Sequence, residues 1–265
     1  MFCVNFIKKL KNIIMKKNKA ALVTGGAKRI GREMVLMLAA KGFDVAVTYN
    51  HSKKEAQQLA DKIKAEFKVD CEIFHCDLKS PQDAQNMIAQ VIKKFPNLSL
   101  LINNASIFNQ SKFLTAPQEE LTDNLNIHFI SPLILSQKFA SHVLSSKIKD
   151  AQIINMLDKN IVRFDTSYFY YLLSKKNLAE LTKMLALELA PQIRVNGIAP
   201  GFILNSVNDQ NPSQEFVDKI IKKIPLQKKG DVKNICQTLE FLLENDFVSG
   251  MVIFVDGAAS LNHAG

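Results

Sequence analysis

The sequence lacks several features that mark particular classes of protein. It contains no tryptophan and only four cysteines, Cys3, Cys71, Cys76 and Cys236, whose spacing is not that of metal ligands. No apolar run approaches the ~20 residues that a membrane span requires. The opening MFCVNFIKKLKNIIM also lacks the apolar stretch and cleavage site of a secretory signal. We therefore expect a cytoplasmic protein with reduced thiols, no bound metal and no membrane span.

Acidic residues are fewer than basic ones, 25 against 34, which gives a formal net charge of +9. The lysines are spread along the chain and form no stripe interleaved with aromatic residues. That distribution argues against a nucleic-acid partner and indicates a lysine-rich surface with a mild attraction for anionic cofactors.

From Lys19 onward, short apolar or β-branched runs alternate with longer helical patterns. This alternation is typical of βαβ units, and right-handed crossovers then build a doubly wound sheet with helices on both faces. We predict a single Rossmann-like α/β domain with a seven-stranded parallel sheet. The predicted strands are 20–24, 43–49, 71–76, 98–104, 151–157, 193–199 and 251–256. The helical stretches include Glu33–Lys41, Lys54–Phe67, Pro81–Phe95, Glu119–Leu144 and Tyr168–Leu189.

Two segments fall outside this pattern. We expect residues 1–18 to form a basic N-terminal extension, an amphipathic anchor or a disordered segment, and residues 19–265 to form the domain; Met15 is an alternative start. The run Gly201–Gln214 is rich in Asn, Ser, Asp and Gln. A loop of that length in a compact domain is typical of a functional lid.

A glycine-rich turn, Thr24-Gly25-Gly26-Ala27-Lys28-Arg29-Ile30-Gly31, connects the first strand to a helix. Such a turn lets backbone approach a pyrophosphate at a helix N-terminus, although αβ loops also carry glycine for structural reasons. The turn resembles the Thr-Gly-x-x-x-Gly-x-Gly signature of the short-chain dehydrogenase/reductase family, with Arg29 in place of the middle glycine. That replacement is usual in the pteridine reductase and dihydromonapterin reductase subgroup, where the arginine reaches both cofactor phosphate and pterin.

Three further motifs follow later strands in the order of that family. Asp77-Leu78 resembles its adenine contact, Asn103-Asn104-Ala105-Ser106 resembles its Asn-Asn-Ala-Gly motif, and Pro200-Gly201 resembles the turn beside the nicotinamide. The resemblance covers the chain from Lys19 to about Leu261. It implies a set of cofactor-binding residues: Gly25, Lys28, Arg29, Ile30, Gly31, Asn50, His51, Ser52, Asp77, Leu78, Asn104, Ala105, Ser106, Tyr171, Lys175, Pro200, Gly201 and Ile203.

The end of the second strand decides between the two nicotinamide cofactors. An acidic side chain there would bind the ribose hydroxyls and repel a 2′-phosphate, but the strand ends in Asn50-His51-Ser52 with no carboxylate. With Lys28 and Arg29 opposite, we predict NADPH. The same turn is also suited to capping the next helix through the Ser52 side chain.

Tyr171 and Lys175 lie four residues apart, so on a helix they share one face. Lowering a tyrosine pKa from ~10 by three units takes about 4 kcal/mol. One ammonium at ~4 Å supplies a similar amount at an effective dielectric of ~20. We therefore expect a tyrosine poised for acid–base catalysis near neutral pH. Alone, the spacing would also fit an exposed helix face; the resemblance makes it the family's catalytic pair, in which Lys175 also binds the ribose.

Asp158 stands thirteen residues before Tyr171, where the family has a serine. A protonated carboxyl group can deliver a proton to a ring nitrogen, whereas a carboxylate would repel an oxyanion forming on a carbonyl. The pteridine reductase subgroup carries Asp here, acting together with Tyr. The alternative is an Asp that only caps a turn before Lys159-Asn160.

The resemblance also implies a substrate site formed by Arg29, Ser106, Phe108, Asp158 and Tyr171, with Phe108 stacking on a pterin. His128 occupies the place of the family's relay asparagine, and its role stays open. We expect reduction of a pteridine ring by a homotetramer, in which the helices 119–144 and 168–189 pack across a two-fold axis. The alternatives are a generic carbonyl reductase, acting for example on 3-oxoacyl thioesters, and a non-catalytic nucleotide sensor.

Overall fold

The predicted sheet is present in full. A computed structural model of the chain describes residues 19–203 and 213–262. Seven parallel strands lie in the order β3-β2-β1-β4-β5-β6-β7, which confirms the predicted fold class. They are β1 (Ala20–Val23), β2 (Asp44–Tyr49), β3 (Cys71–His75), β4 (Leu98–Asn103), β5 (Ala151–Met156), β6 (Ile193–Pro200) and β7 (Val252–Val255).

The central strands are hydrophobic runs because both faces of the sheet are covered. Every residue of β1, β4 and β5 is buried. Alternate residues of these strands belong to two separate core clusters, Leu22 and Ile153 to one and Val23 and Ile154 to the other. Burial on both sides explains why these strands read as continuous apolar segments rather than as an apolar/polar alternation.

Helices connect the strands and extend the predicted set. They are α1 (Arg29–Ala40), α2 (Lys53–Glu66), α3 (Pro81–Lys94), α4 (Gln118–Leu125), α5 (Ser131–Ser146), α6 (Phe169–Glu188), α7 (Gln214–Lys222) and α8 (Val232–Glu244). Helix α1 begins four residues before the predicted start, within the last residues of the glycine-rich turn. The stretch predicted as one helix from Glu119 is divided by a π-helical segment, Asn126–Ile130. No helical range was predicted for the segments that form α7 and α8.

One local prediction was wrong. Ser52 occupies the N-cap of α2, but its side chain makes no capping hydrogen bond. Its backbone angles, φ −99° and ψ 47°, are not those of the extended conformation that directs an N-cap side chain at the first turn.

The topology brings the predicted motifs together. The chain leaves β1 toward β2 on one side and returns to β4 on the other, so a crevice opens beyond the carboxyl ends of β1 and β4. The glycine-rich turn follows β1, and the Asn104 motif follows β4. Residues 1–18 and 204–212, which include the proposed extension and most of the predicted lid, lie outside the described residues.

Candidate active site

The glycine-rich turn makes a tight backbone cradle beyond β1. Gly25 has φ +60°, and a Cβ there would lie 2.9 Å from the Cα of Ala105. A Cβ on Gly31 would lie 2.5 Å from the Gly25 carbonyl oxygen and 2.7 Å from Asn104 Nδ2. No side chain fits at either position, because the space is filled by the turn itself and by the loop after β4; glycine therefore allows these two loops to pack closely.

Two side chains hold this turn against the end of β4. Thr24 Oγ1 accepts hydrogen bonds from the backbone N–H groups of Asn104 and Ala105 at 2.9 and 3.0 Å. Asn104 Nδ2 in turn donates to the carbonyl oxygens of Thr24 and Gly25 at 2.9 and 3.2 Å. Asn104 and Ala105 are therefore held beside the glycine-rich turn. Thr24, which was not among the predicted site residues, is the residue that fixes them.

Arg29, at the position of the family's middle glycine, has a backbone conformation that glycine adopts more easily. Its φ is +55°, in the left-handed region, which costs a non-glycine residue roughly 1–2 kcal/mol. Burial lowers the pKa of its guanidinium. The family's glycine position thus carries a partly buried cation in a left-handed backbone conformation.

A basic cleft of about 360 Å³ lies between this turn and α2. Lys28 in its wall pairs with Glu55 at 2.6 Å, across a half-exposed contact. The other charged groups of the wall are all cationic, although Arg32 pairs with Glu33 and Lys62 with Glu66. The cleft therefore carries a modest excess of positive charge, which suits a phosphate. It is lined by Ala27, Lys28, Arg29, Arg32, Glu55, Gln58, Leu59 and Lys62. Asn50, His51 and Ser52 lie in the turn after β2 and are not among the lining residues.

The remaining predicted cofactor contacts lie at the same edge of the sheet. Leu78 is buried, and its carbonyl oxygen accepts from Ser131 Oγ at 2.8 Å. Asp77 Oδ1 accepts from the backbone N–H of Lys79. Pro200 ends β6, and a Cβ on Gly201 would lie 2.6 Å from the Cα of Asp256, so this turn too requires glycine. Ile203 is buried, and Ile30 packs partly buried against the core.

Asp158 and Tyr171 form a direct hydrogen-bonded pair. The Tyr171 hydroxyl donates to Asp158 Oδ2 at 2.9 Å, while Asp158 Oδ1 accepts from the backbone N–H of Asn160 at 2.7 Å. Asp158 thus makes the turn-capping contact and also contacts Tyr171, while its catalytic role stays a prediction. One oxygen caps a short 3₁₀ turn (Lys159–Val162), and this contact orients the other oxygen toward the tyrosine.

Lys175 lies buried behind the tyrosine. Its Nζ donates to the Met156 carbonyl oxygen at 2.7 Å and lies 5.9 Å from the centre of the Tyr171 ring. Burial lowers the pKa of Lys175 to about 8, and the negative charge of Asp158 opposes this shift. Below that pH the ammonium is charged and faces the interior of the site.

The expectation that Lys175 lowers the pKa of Tyr171 was wrong for this structure. Burial and the adjacent Asp158 carboxylate raise the pKa of the phenol well above its ordinary value, and a hydrogen bond with Ser106 opposes this effect. The carboxylate accepts the phenolic hydrogen directly, whereas the ammonium is directed at a backbone carbonyl. Tyr171 is therefore a protonated group, able to donate a hydrogen.

Phe108 completes an aromatic cluster over the pair. Its ring stacks on Tyr168 with centroids 4.4 Å apart and an interplanar angle of 14°. It meets the Tyr171 ring edge-on at 4.9 Å. The structure thus brings Phe108 to the predicted catalytic pair, with Tyr168 as a neighbour that was not among the predicted site residues.

A buried histidine links Ser106 to helix α6. His128 is 1% exposed; its Nε2 lies 2.9 Å from Ser106 Oγ and its Nδ1 lies 2.9 Å from Ser174 Oγ. The ring reaches this position from the π-helical segment, and such segments are frequent at functional sites. Ser174 was missed because a serine inside a helix carries no distinct sequence signal; its place one residue before Lys175 was the available hint.

Comparison with known proteins identifies the family of this chain. A family profile described as enoyl-(acyl carrier protein) reductase matches residues 25–259. The chain belongs to the short-chain dehydrogenase/reductase family. It is therefore an oxidoreductase, an NAD(P)-dependent reductase of the short-chain type.

Relatives of this short-chain reductase have differing names. The 3-oxoacyl-[acyl-carrier-protein] reductase FabG of Staphylococcus aureus is 31% identical over 246 residues, 92% of this chain and 98% of its own. FolM alternative dihydrofolate reductase 1 from Brucella canis, solved with NADP, is 31% identical with a TM-score of 0.86 and covers 94% and 96% of the two chains. Acetoin dehydrogenase from Enterobacter cloacae is 29% identical with a TM-score of 0.84, covering 94% and 98%.

The cradle can be tested with two glycine variants of the reductase. Gly31→Ala places a methyl group against Gly25 and Asn104, so we expect the affinity for NADP(H) to fall at least about tenfold and the stability to drop by about 1–3 kcal/mol. Gly42→Ala is the matched control, since φ is +84° there but no atom lies within 4 Å of the added Cβ. It should cost about 1 kcal/mol and leave affinity unchanged. NADPH fluorescence and denaturant unfolding measure both quantities, and equal affinities in the two variants would contradict the assignment.

Proposed function

We propose that this protein reduces a pteridine ring with NADPH, converting a dihydropterin such as 7,8-dihydromonapterin, or dihydrofolate, to the tetrahydro form. Such a reduction adds a hydride to a ring carbon and a proton to the adjacent ring nitrogen, so that one C=N bond becomes C–N with N–H. The observation that carries the proposal is the carboxyl group of Asp158 bonded to Tyr171 at the position of the family's serine.

Asp158 suits a ring nitrogen better than a carbonyl oxygen. The negative charge of a carboxylate would oppose an oxyanion forming beside it, whereas a basic nitrogen only has to receive a proton. Tyr171 holds the proton because burial and Asp158 raise the pKa of its phenol. We infer that Tyr171 presents this proton to the ring and that Asp158, half-buried and nearer to solvent, takes a proton from water and passes it to Tyr171.

Lys175 balances the charge of this transfer. A phenolate beside the Asp158 carboxylate would be strongly unfavourable, and the buried ammonium is the positive charge that compensates for it. In this proposal Phe108 stacks on the ring, while Arg29 and Ser106 orient it. The similarity to Brucella FolM, which is named as a dihydrofolate reductase, supports a pterin substrate.

The described residues fit a dinucleotide. Where bound, NADPH supplies the hydride. The glycine cradle around Gly25 and Gly31 would hold the pyrophosphate, the cleft at Lys28 and Arg29 would take the 2′-phosphate, and Lys175 would bind the ribose. The Brucella proteins were solved with NADP, which supports NADPH over NADH.

A carbonyl reductase acting on 3-oxoacyl thioesters is the second candidate. It is favoured by the similarity to the Staphylococcus FabG enzymes over nearly their whole length. The two candidates differ in what they require at position 158, since a carbonyl reductase uses a hydroxyl that donates to the substrate oxygen.

Substitution of Asp158 separates the candidates. For a pterin reductase, Asp158→Ala should lower kcat for dihydropterins by ~10²–10⁴, as expected for loss of general acid catalysis. Asp158→Ser should not restore it. Turnover of dihydropterins, dihydrofolate and acetoacetyl thioesters is measured from NADPH oxidation for wild type and both variants.

The control for these variants is Asp61→Ala, an exposed carboxylate on α2, which should leave kcat unchanged. NADPH affinity should stay near the wild-type value in all variants, because loss of the carboxyl group leaves the cradle intact. Full dihydropterin activity in Asp158→Ser, or thioester activity in a wild type that reduces no pterin, would reject the pteridine assignment.

Cofactor preference gives an independent test. We expect kcat/KM to favour NADPH over NADH by more than about tenfold, because a charged contact to a phosphate is worth roughly 1.5–3 kcal/mol. Asn50→Asp places a carboxylate beside the ribose and should reduce this preference. Asn245→Asp makes the same change in charge far from the cleft, at the end of α8, and should not. Similar kcat/KM values for the two cofactors in wild type would contradict the prediction.

We also propose a homotetramer in which α5 and α6 pack across a two-fold axis. Large apolar side chains on these helices are exposed in the single chain: Leu144, Met184 and Leu187. Light scattering at micromolar concentration should give the mass of four chains, and the double variant Met184→Arg/Leu187→Arg should lower it. Leu226→Arg, an exposed leucine away from both helices, is the control. A monomeric wild type would refute the assembly.

A further inference from the structure

His128 has no role in the proposed chemistry, yet it is built tightly into the site. Its ring is 1% exposed and meets the Tyr171 ring edge-on at 5.3 Å. Both ring nitrogens have hydroxyl partners at 2.9 Å, Ser106 on the side of the cleft and Ser174 on the side of α6. The ring also forms a hydrogen bond with the backbone of Asn124. Which group donates in each hydrogen bond follows from the other hydrogen-bond partners of Ser174 and Ser106.

The bond to Ser174 determines which nitrogen carries the hydrogen. The Ser174 hydroxyl donates its single hydrogen to the Tyr171 carbonyl oxygen at 2.7 Å. Its oxygen can therefore only accept from His128 Nδ1, so Nδ1 carries the N–H.

Nε2 is then a bare acceptor, because the ring is neutral. Burial lowers the pKa of His128 well below its ordinary value, and the positive charge of Lys175 acts in the same direction. Two donors face Nε2, the backbone N–H of Ile107 at 3.3 Å and the Ser106 hydroxyl at 2.9 Å.

The Ser106 hydroxyl therefore donates its hydrogen to a group of the protein and not to the substrate. His128 Nε2 is its nearest acceptor, the Ile107 carbonyl oxygen lies at 3.1 Å, and Tyr171 is a third partner whose own hydrogen goes to Asp158. Each of these groups would accept the hydrogen. Ser106 itself is exposed at the cleft, so it presents an oxygen lone pair there.

We propose that His128 is a positioning residue that makes Ser106 a hydrogen-bond acceptor toward the substrate and thereby selects substrates with an N–H or NH₂ group at this point. A pterin carries such groups, whereas a simple ketone or thioester offers only acceptors. The substrate selection rests on the proposed function; the orientation of the His128–Ser106 hydrogen bond does not.

The orientation is tested by nitrogen-15 NMR of the NADPH-loaded protein labelled at histidine. His128 is assigned by the loss of its signals in His128→Asn. Wild type should show a neutral ring protonated at Nδ1, and Ser174→Ala, which removes a buried hydroxyl outside the cleft, should shift the population toward the Nε2-protonated form. An imidazolium or an Nε2-protonated ring in wild type, or a spectrum unchanged in Ser174→Ala, would overturn the proposal.

Kinetics test the consequence for substrate. For a dihydropterin, Ser174→Ala and His128→Asn should raise KM about tenfold with kcat within about threefold of wild type, because binding and not chemistry is affected. NADPH affinity and Tm identify a variant that has lost its fold, in which case the other variant decides. An unchanged KM, or a fall in kcat at constant KM, would overturn the positioning role. If wild type reduces no pterin, the proposed function fails while the NMR result still decides the orientation at Ser106.

Discussion

The site depends on the hydrogen bonds that join the ends of β1 and β4. Thr24 Oγ1 accepts two backbone N–H groups from the β4 end, and Asn104 returns two hydrogen bonds to the β1 end. These contacts set the distance between two loops that arise 80 residues apart in the chain. The glycine cradle, Ser106 and Phe108 all follow directly from these loops, so their positions depend on this junction.

Charge is arranged differently on the two sides of the junction. Around Lys28 and Arg29 the positive groups are partly exposed and outnumber the negative ones, which suits an anionic ligand that arrives from water. Around Tyr171 a half-buried carboxylate, Asp158, is balanced by a buried ammonium, Lys175. The charge around Lys28 and Arg29 is thus suited to binding an anion. The charge around Tyr171 is suited to moving a proton with little change in net charge.

Much of the fold was predictable because it depends on local patterns. Runs such as AALV and LSLLIN are buried on both faces, and their apolar composition shows directly in the sequence. Arg29 and Asp158 were recognised because each departs from the pattern at a defined position. These residues could therefore be identified before their surroundings were known.

The remaining features depend on contacts between distant segments. The pKa of Tyr171 is raised because Asp158, thirteen residues earlier, turns one oxygen toward the phenol, and this orientation comes from the backbone at Asn160. The bonds of His128 likewise join three separate elements. Spacing along the chain identified the neighbouring Lys175 but not which charge would lie closer to the phenol.

The π-helical segment at Asn126–Ile130 makes the packing of α4 and α5 depend on the number of residues between them. Each residue of a regular α-helix advances the direction of its side chain by about 100°, and a π-bulge corresponds to an extra residue that disturbs this phase. Helix α4 packs against α6 beside the site, whereas α5 packs against α3 and β4. The two parts of this continuous helix, α4 and α5, therefore present faces that are rotated relative to each other. Deleting a single residue here would remove this rotation and turn the packed face of α5 away from the sheet.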